Sequence, residues 1–250
     1  MIDMEGEGYI MLTSFNIGVY SFSTYWTIFA TGVLFMIIMN CISGRKYSLH
    51  MSTSVFLTIS IVLISFAGAK ILYYLENPDI LFRSGIKLGG VSFFGSVFLV
   101  PVLMYFICRV LKQPYLKIMD YVSPSLMLML AILRIGCYFS GCCGGREVII
   151  AGFYIEKFPT QIMECICDLL ILLGLLMYKR FWHNEGRLYF FIMLYYGIVR
   201  FFIEFFRDTP KDFFYLSLGQ CFSIISILIG GYVLQFLGKM DRKKLRFRKR

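Results

Sequence analysis

The sequence predicts an all-α integral membrane protein with seven transmembrane helices, its N-terminus outside the cell and its C-terminus in the cytoplasm. Three observations support this prediction. Of the 250 residues, 58% are hydrophobic and only 16% are charged, whereas soluble proteins average about 25% charged residues. Apolar stretches of spanning length recur along the chain, and the density of basic residues alternates between successive connecting segments.

Seven apolar stretches are long enough to cross a bilayer, which takes about 20 residues in a helix. They occupy residues 17–40, 53–75, 91–110, 116–140, 161–179, 188–206 and 216–238. The third and fourth contain Pro101 and Pro124, which membrane helices tolerate because neighbouring helices satisfy the freed backbone groups. We therefore expect one membrane domain over residues 1–238, followed by a basic tail at residues 239–250.

The segments that connect the predicted spans fall into two alternating sets. One set, which includes the C-terminal tail, contains 16 Lys and Arg residues. The other contains 6, interleaved with acidic residues. Because short basic segments stay on the cytoplasmic side of the membrane, this alternation places the tail in the cytoplasm and the N-terminus outside.

The net charge of +10 is concentrated in the tail, where residues 239–250 hold eight basic residues against one Asp. A basic segment directly after a membrane span is typical of an orientation signal that contacts anionic lipids. We therefore expect membrane lipids as partners and no nucleic acid. The N-terminus is acidic, with Asp3, Glu5 and Glu7, and it lacks the basic region of a cleavable signal peptide.

Six ionisable residues remain within or at the edges of the predicted spans: Lys70, Arg134, Glu164, Asp168, Arg200 and Glu204. Each costs roughly 2.5 to 3.5 kcal/mol to insert at the centre of a membrane helix, so such residues mark functional sites by default. Two structural alternatives stand beside this interpretation. Arg200 and Glu204 are four residues apart and could form an ion pair on one helix face. Lys70 could extend its amine to the membrane surface.

Most of these residues lie near the outer ends of their spans under the predicted topology. They are joined there by Arg146 and by the stretch YYGIVRFFIEFFRD at residues 195–208. Arginines that meet in a partly dry site, with glycines that let backbone N–H groups approach, form a receptor for a phosphate or another oxyanion. At that depth we expect the phosphate of a phospholipid headgroup.

Five short motifs follow one another along the chain. They are GGVSFFG (residues 89–95), RIGCYFSGCCGGR (134–146), FPTQIME (158–164), YGIVRFFIEFFRD (196–208) and LSLGQCFS (216–223). On a seven-span frame, this order resembles the prolipoprotein diacylglyceryl transferase family over nearly the whole chain. The resemblance implies a multi-pass transferase of the bacterial plasma membrane with its active site near the outer face. Its implied reaction moves the diacylglyceryl group of phosphatidylglycerol onto the cysteine thiol of a lipobox in a secreted lipoprotein precursor, and glycerol 1-phosphate is released.

The resemblance, together with the placement of the charged residues, predicts two sets of site residues. The catalytic set is Arg134, Arg200, Glu204 and Tyr196. The substrate-binding set is Tyr25, Gly95, Cys137, Gly145, Arg146, Gln161 and Glu164. The chain has no nucleotide or dinucleotide motif, and we expect no cofactor and no metal.

The chemistry of the reaction suggests a role for each residue type. Arg134 and Arg200 would clamp the phosphate and spread the charge that develops on it, and Arg146 would guide the headgroup. Glu204 and Tyr196 would orient Arg200 or relay a proton. The remaining polar residues, Gln161 and Glu164, would shape the outer pocket.

The chain departs from the family pattern at four positions. Phe94 and Phe158 stand where the family has histidines, and Cys137 and Cys142 stand where it has Asn and Glu. Both histidines of this chain fall on the predicted cytoplasmic side. A mechanism with histidine as the general base is therefore not open to this protein.

The eight cysteines form two groups. Five are scattered through apolar stretches, where we expect small buried side chains: Cys41, Cys108, Cys165, Cys167 and Cys221. Cys137, Cys142 and Cys143 cluster near the predicted oxidising side, where a disulfide, a redox role or an acyl-carrying role is open to them. Zinc is a weaker alternative, because no histidine accompanies them.

Three functional hypotheses follow. The first is a lipid transferase that acts on a lipobox precursor or on another acceptor. The second is a redox membrane enzyme, for which Cys142 and Cys143 would matter more than Arg134. The third is a non-catalytic phospholipid-binding protein with the same scaffold. The ordered motifs and the arginine pair favour the first.

Overall fold

A computed structural model describes residues 14–17, 20–79, 91–150, 153–155, 157–181, 186–207, 209 and 215–248. The acidic residues before Ser14 lie outside these ranges, as do the basic residues Arg83, Lys87 and Lys211 and the histidine His183. The elements, in chain order, are β1 (Ser14–Ile17), β2 (Tyr20–Ser23), α1 (Thr24–Gly44), α2 (Met51–Glu76), α3 (Phe93–Val110), α4 (Tyr115–Phe139), β3 (Val148–Ile150), β4 (Phe153–Ile155), α5 (Thr160–Phe181), α6 (Leu188–Ile203) and α7 (Leu218–Arg248).

All seven of these helices are long enough and apolar enough to cross a membrane. The predicted number of spans is confirmed for the part of the chain that the structure describes. Short 3₁₀ turns extend α1 through Tyr47 and α6 through Phe206. The helices alternate in direction, so α1, α3, α5 and α7 begin at the end of the bundle where α2, α4 and α6 finish. We call this the site end.

The first predicted span began at residue 17, and this boundary is wrong because α1 begins at Thr24. The preceding residues form an antiparallel hairpin instead, in which Ser14 pairs with Ser23 and Ile17 with Tyr20. Polar and apolar residues alternate in Ser14–Ile17, which suits a strand better than a membrane helix. At the other end of the chain, α7 continues through Arg248, so most of the predicted basic tail is helical.

The central helix of the bundle is α4, which packs against α1, α3, α5 and α6. The neighbouring pairs α2 and α3, and α6 and α7, pack closely on each side. Gly95 lies where α3 crosses α2, and a Cβ there would be 2.0 Å from the carbonyl oxygen of Gly68. Only glycine allows this backbone contact, which is typical of small residues between membrane helices. The structure thus gives Gly95 a packing role.

A buried aspartate far from the site end aligns α4 with α6. Asp120 accepts hydrogen bonds from the backbone N–H groups of Leu188 at 2.8 Å and Gly186 at 2.5 Å, at the start of α6. A helix rises 1.5 Å per residue, so Arg134 stands about 21 Å above Asp120, and Arg200 about 18 Å above Leu188. These two hydrogen bonds cap the start of α6. They therefore bring the two arginines to a similar height at the site end.

Candidate active site

A buried carboxylate at the start of α5 gathers three arginines at the site end. Glu164 is 1% exposed. Its Oε2 lies 2.5 Å from Nε of Arg134 on α4, and its Oε1 pairs with Nη1 of Arg200 on α6. Nη1 of Arg207, just after α6, lies 3.2 Å from the same Oε1. Residues 30 to 43 positions apart in the chain therefore meet at one side chain.

A second buried carboxylate continues this network toward α7. Oε2 of Glu204 lies 2.9 Å from Nη2 of Arg200 and 3.9 Å from Nε of Arg207. Its Oε1 accepts a hydrogen bond of 3.0 Å from the hydroxyl of Ser217. A Cβ on Gly219 would be 2.8 Å from the same Oε1, so this glycine lets the carboxylate lie against the first turn of α7. The positive end of that helix favours a negative charge there.

The network carries more positive than negative charge. Three guanidinium groups face two carboxylates in these ion pairs, which leaves a net charge of +1. The contact between Arg134 Nε and Glu164 Oε2 is short, but neither atom has a hydrogen bond within the described structure. A phosphate diester, with one negative charge, would balance these five groups.

Burial and the neighbouring acidic groups shift the pKa of Arg207 in opposite directions. Burial by itself lowers the pKa of this guanidinium, but Glu164, Cys143 and Glu204 together raise the pKa above its ordinary value. Arg207 is therefore a permanent cation of the site. From the sequence we predicted no site role for Arg207, although its position three residues after Glu204 in the YGIVRFFIEFFRD motif was a usable signal.

Tyr196 links the arginines to an aromatic wall. Its side chain is buried, and its hydroxyl accepts a hydrogen bond of 3.0 Å from Nη2 of Arg134. Its ring packs edge-on against Phe93, with the ring centroids 4.9 Å apart, and lies 6.0 Å from the ring of Phe94. Phe94 thus contributes a buried apolar surface and no proton-transfer group at its position.

Gly145 is the point where three segments of backbone meet. Its N–H donates to the carbonyl of Phe158 at 2.9 Å, and the next N–H, that of Arg146, donates to Phe206 at 2.9 Å. A Cβ on Gly145 would lie 2.5 Å from the carbonyl oxygen of Phe206. The rings of Phe158 and Phe206 stack at 4.7 Å on this junction. The junction joins the loops after α4 and α6 to the start of α5, while the Arg146 side chain is exposed.

The three clustered cysteines lie beside the arginines. The Sγ atoms of Cys137, at the end of α4, and of Cys142 and Cys143, in the loop after it, all lie within 4.8 Å of one another. None of the eight cysteines, all within the described ranges, forms a disulfide. The neighbouring Cys137 and Cys142 thiols, together with Arg207, lower the pKa of the Cys143 thiol well below its ordinary value, although burial by itself would raise it.

Side chains of α5 and α1 border the cysteine loop. Nε2 of Gln161 donates to the carbonyl of Cys142 at 2.7 Å, and the Thr160 hydroxyl donates to that of Cys143 at 2.8 Å. Tyr25, in the first turn of α1, lies against Gly136, where a Cβ would be 3.6 Å from the Tyr25 ring. Tyr25 is therefore adjacent to the thiols.

The structure brings together nearly all the predicted site residues. Arg134, Arg200, Glu204, Tyr196 and Glu164 form one contact network, and five further predicted residues border it: Tyr25, Cys137, Gly145, Arg146 and Gln161. Gly95, also predicted to bind substrate, instead packs against the backbone of α2. Glu164 contacts the arginines directly, which is a more central position than the predicted outer pocket.

Asp168 is one of the six ionisable span residues noted from the sequence, but it belongs to neither set of predicted site residues. It is fully buried one turn after Glu164, and neither of its oxygens has a hydrogen-bond partner within the described structure. Of the two histidines, only His50 is described. It precedes α2, close in sequence to Tyr47, which packs on Tyr121 near the start of α4. His50 therefore lies at the opposite end of the bundle from the arginines.

The chain is similar in sequence to known proteins over most of its length. The sequence profile of the family described as prolipoprotein diacylglyceryl transferase matches residues 12–236. A phosphatidylglycerol–prolipoprotein diacylglyceryl transferase of Clostridium tetani is 28% identical over 243 residues, which cover 90% of this chain and 95% of the relative. The transferase numbered 2 of Clostridium perfringens is 31% identical over 209 residues, covering 75% and 79%. That of Idiomarina loihiensis is 29% identical over 178 residues, covering 67% and 66%. The chain is therefore a membrane transferase that belongs to the prolipoprotein diacylglyceryl transferase family.

Proposed function

We propose that this protein transfers the diacylglyceryl group of phosphatidylglycerol to the cysteine thiol of a lipobox in a lipoprotein precursor. The relatives are named for phosphatidylglycerol and a prolipoprotein. The observation that carries the proposal for this chain is the meeting of three arginines at Glu164, next to Tyr196 and with a net charge of +1.

The reaction forms a C–S bond and breaks a C–O bond. The acceptor sulfur attacks the terminal glyceryl carbon, and the electron pair of the C–O bond leaves with the phosphate of glycerol 1-phosphate. The thiol proton is released. Charge therefore grows on the phosphate oxygens in the transition state, and preorganised cations aimed at those oxygens lower the barrier most effectively.

Each arginine has a place in this mechanism. Arg134 and Arg200 clamp the phosphate, because they stand on rigid helices at a similar height. Arg207 adds a third cation near the same point. Glu164 holds the three guanidinium groups in place before the lipid arrives, so little reorganisation is needed when the phosphate binds.

The other predicted residues support this arrangement. Tyr196 and Glu204 orient Arg134 and Arg200, respectively. Gln161 holds the loop that carries the cysteines. Arg146, whose side chain is exposed, guides the headgroup, and Tyr25 closes the pocket on the side of α1.

We also propose an orientation in the membrane. The segments at the site end are poor in basic residues and those at the opposite end are rich in them, so the positive-inside rule places the site end outside the cell. The N-terminus is then outside, and the basic tail at residues 239–250 is cytoplasmic, where it contacts anionic lipids. A secreted precursor and the outer leaflet would both reach the site in the bacterial plasma membrane.

The proposal is tested with the purified full-length chain in vesicles that contain phosphatidylglycerol, together with a lipobox peptide. Mass spectrometry measures the added diacylglyceryl group. We expect product from the wild type and from Arg109→Ala, an exposed arginine at the opposite end of the bundle. Product should be lost in Arg134→Ala and Arg200→Ala. A wild type that binds the lipid but forms no thioether would refute the proposed acceptor.

A further inference from the structure

Three thiols converge at the site end, and the transfer mechanism proposed above uses none of them chemically. Cys137 comes from the last turn of α4 and is buried, whereas Cys142, in the loop that follows, is exposed. With Cys143 they place three sulfur atoms within 4.8 Å of one another. One side of the cluster faces the protein and the other is open.

The spacing of these sulfur atoms is close to that of a metal site. Three thiolates bound to a tetrahedral zinc ion at about 2.3 Å lie about 3.8 Å apart. Small rotations of the cysteine side chains would close the remaining difference. From the sequence we expected no metal, because no histidine accompanies these cysteines, but three converging thiols need only one more ligand to complete a zinc site.

The backbone around the thiols is held in place by neighbouring elements. Gln161 and Thr160 bond the carbonyls of Cys142 and Cys143, as described above. The N–H of Cys142 donates to the carbonyl of Cys137 at 3.2 Å. A site that is already arranged loses little conformational entropy when a ligand binds.

The charges near the cluster favour a metal–thiolate complex. Zinc with three thiolates carries a net charge of −1. Arg134 lies one helical turn before Cys137, and both Arg134 and Arg207 interact electrostatically with Cys143. These cations stabilise the complex anion. A set of sulfur ligands with no carboxylate selects thiophilic ions such as zinc over magnesium or calcium.

We propose that Cys137, Cys142 and Cys143 bind a zinc ion whose open fourth position takes the acceptor thiol as a thiolate. This inference rests on the transfer reaction proposed above. Catalytic zinc sites characteristically keep one position open, whereas structural sites fill all four with protein ligands. A coordinated thiol loses its proton outright, which activates it without a general base.

The zinc-bound step conserves atoms and charge. The acceptor RS–H displaces a water molecule from zinc, the S–Zn bond forms, and the thiol proton passes to solvent on the exposed side of the cluster. The bound thiolate attacks the glyceryl carbon while the C–O bond breaks toward the phosphate held by Arg134 and Arg200. The thioether product is a weak ligand, so it leaves and water returns to the zinc.

This role explains how the chain can work with phenylalanine at both positions where its family has histidine. Phe94 and Phe158 are buried and apolar, and the described residues of the site include no histidine. A free thiol with a pKa of about 8.5 is only about 3% ionised at pH 7. Zinc would ionise the acceptor thiol in place of a histidine base.

The binding test does not depend on activity. The full-length protein is purified in detergent from cells grown with zinc, and its metal content is measured by mass spectrometry. We expect about one zinc per chain in the wild type and in Cys41→Ser, a cysteine near the far end of α1. The triple variant with Cys137, Cys142 and Cys143 replaced by serine should hold almost none.

A second measurement identifies the ligands even if the triple variant folds poorly. Cobalt(II) replaces zinc in the wild-type protein, and thiolate ligation appears as a charge-transfer band in the near ultraviolet. Adding a lipobox peptide should intensify this band, whereas the same peptide with serine in place of cysteine should not. A wild type with no bound metal and no cobalt band would overturn the site, as would a disulfide among these three cysteines in protein purified under air.

Turnover distinguishes a catalytic zinc from a structural one. With zinc, the rate should be nearly flat between pH 6.5 and about 8.5, because the bound thiol is already ionised. After chelation it should fall about 10-fold or more at pH 7 and then rise about tenfold per pH unit toward the thiol pKa. Equal rates and pH profiles with and without zinc would overturn the catalytic role. Zinc binding and a peptide-dependent cobalt band without any product would instead leave the site standing and refute the proposed transfer.

Discussion

Replacing Glu164 with glutamine tests the central feature of the site. Glu164 is 1% exposed and pairs with three arginines. The substitution keeps the size of the side chain but raises the net charge of the ion-pair network from +1 to +2. Removing one partner from a buried ion pair costs about 3 to 5 kcal/mol, because the remaining charge is left buried and uncompensated.

This loss should be visible in thermal unfolding. For a protein of this size, 1 kcal/mol shifts the midpoint by about 2 to 4 °C, so we expect Glu164→Gln to unfold about 6 to 20 °C below the wild type in detergent. The matched control is Glu76→Gln. Glu76 is partly buried and has a single described hydrogen bond, 2.8 Å from the Ser92 hydroxyl, so it should shift the midpoint far less.

The same variant should respond more strongly to its lipid. With Glu164 neutral, the arginines have lost a competing anion, so phosphatidylglycerol should raise the unfolding midpoint of Glu164→Gln by more than that of the wild type. Transfer should nevertheless fall by about 10²-fold or more, because the guanidinium groups are no longer held in place. An unchanged midpoint, or an equal lipid response in both proteins, would show that the ion pairs do not form.

Three further substitutions test separate parts of the structure. Gly145→Ala should abolish transfer and lower stability, because its Cβ would lie 2.5 Å from a backbone oxygen, while Gly174→Ala, which meets nothing within 4 Å, should be silent in both assays. Tyr196→Phe removes the acceptor for Arg134, so transfer should fall about 10-fold for the loss of about 1.4 kcal/mol; a normal rate would exclude any role for this hydroxyl. Asp120→Asn weakens the cap on α6, which should cost about 1 to 2 kcal/mol and lower the unfolding midpoint by about 2 to 8 °C. Transfer activity should fall by a smaller factor than in the other two variants. An unaltered midpoint would contradict the alignment of α4 with α6 by Asp120.

Local composition was sufficient to predict most of the helices. Six of the seven predicted spans agree with the structure to within about two residues at their starts, because the hydrophobicity of about 20 consecutive residues decides whether a segment crosses a membrane. At their ends, α4 stops at Phe139, one residue before the predicted limit, and α6 reaches the predicted limit only through its 3₁₀ turn. The exception is the first span. Its apolar run includes strand residues, and hydrophobicity by itself does not distinguish a short strand from the first turns of a helix.

The residue types of the site were also evident in the sequence. Arg134, Arg200 and Glu204 are conspicuous because charges are costly in apolar stretches, and the ordered motifs drew attention to Tyr196 and Gly145. The importance of Arg207 and the central position of Glu164 were not evident. Both depend on which partners lie within ion-pair distance.

The sequence by itself determined the class of protein, the number of spans and the set of residues from which the site is built, because each of these follows from the chemistry of short stretches. Only the tertiary structure decided which residues meet. Glu164 reaches its arginines only when α4, α5 and α6 are packed side by side, and the loop after α4 meets α5 only when Gln161 and Thr160 hold it there. Such contacts between distant residues depend on helix packing, and no local pattern of residues specifies them.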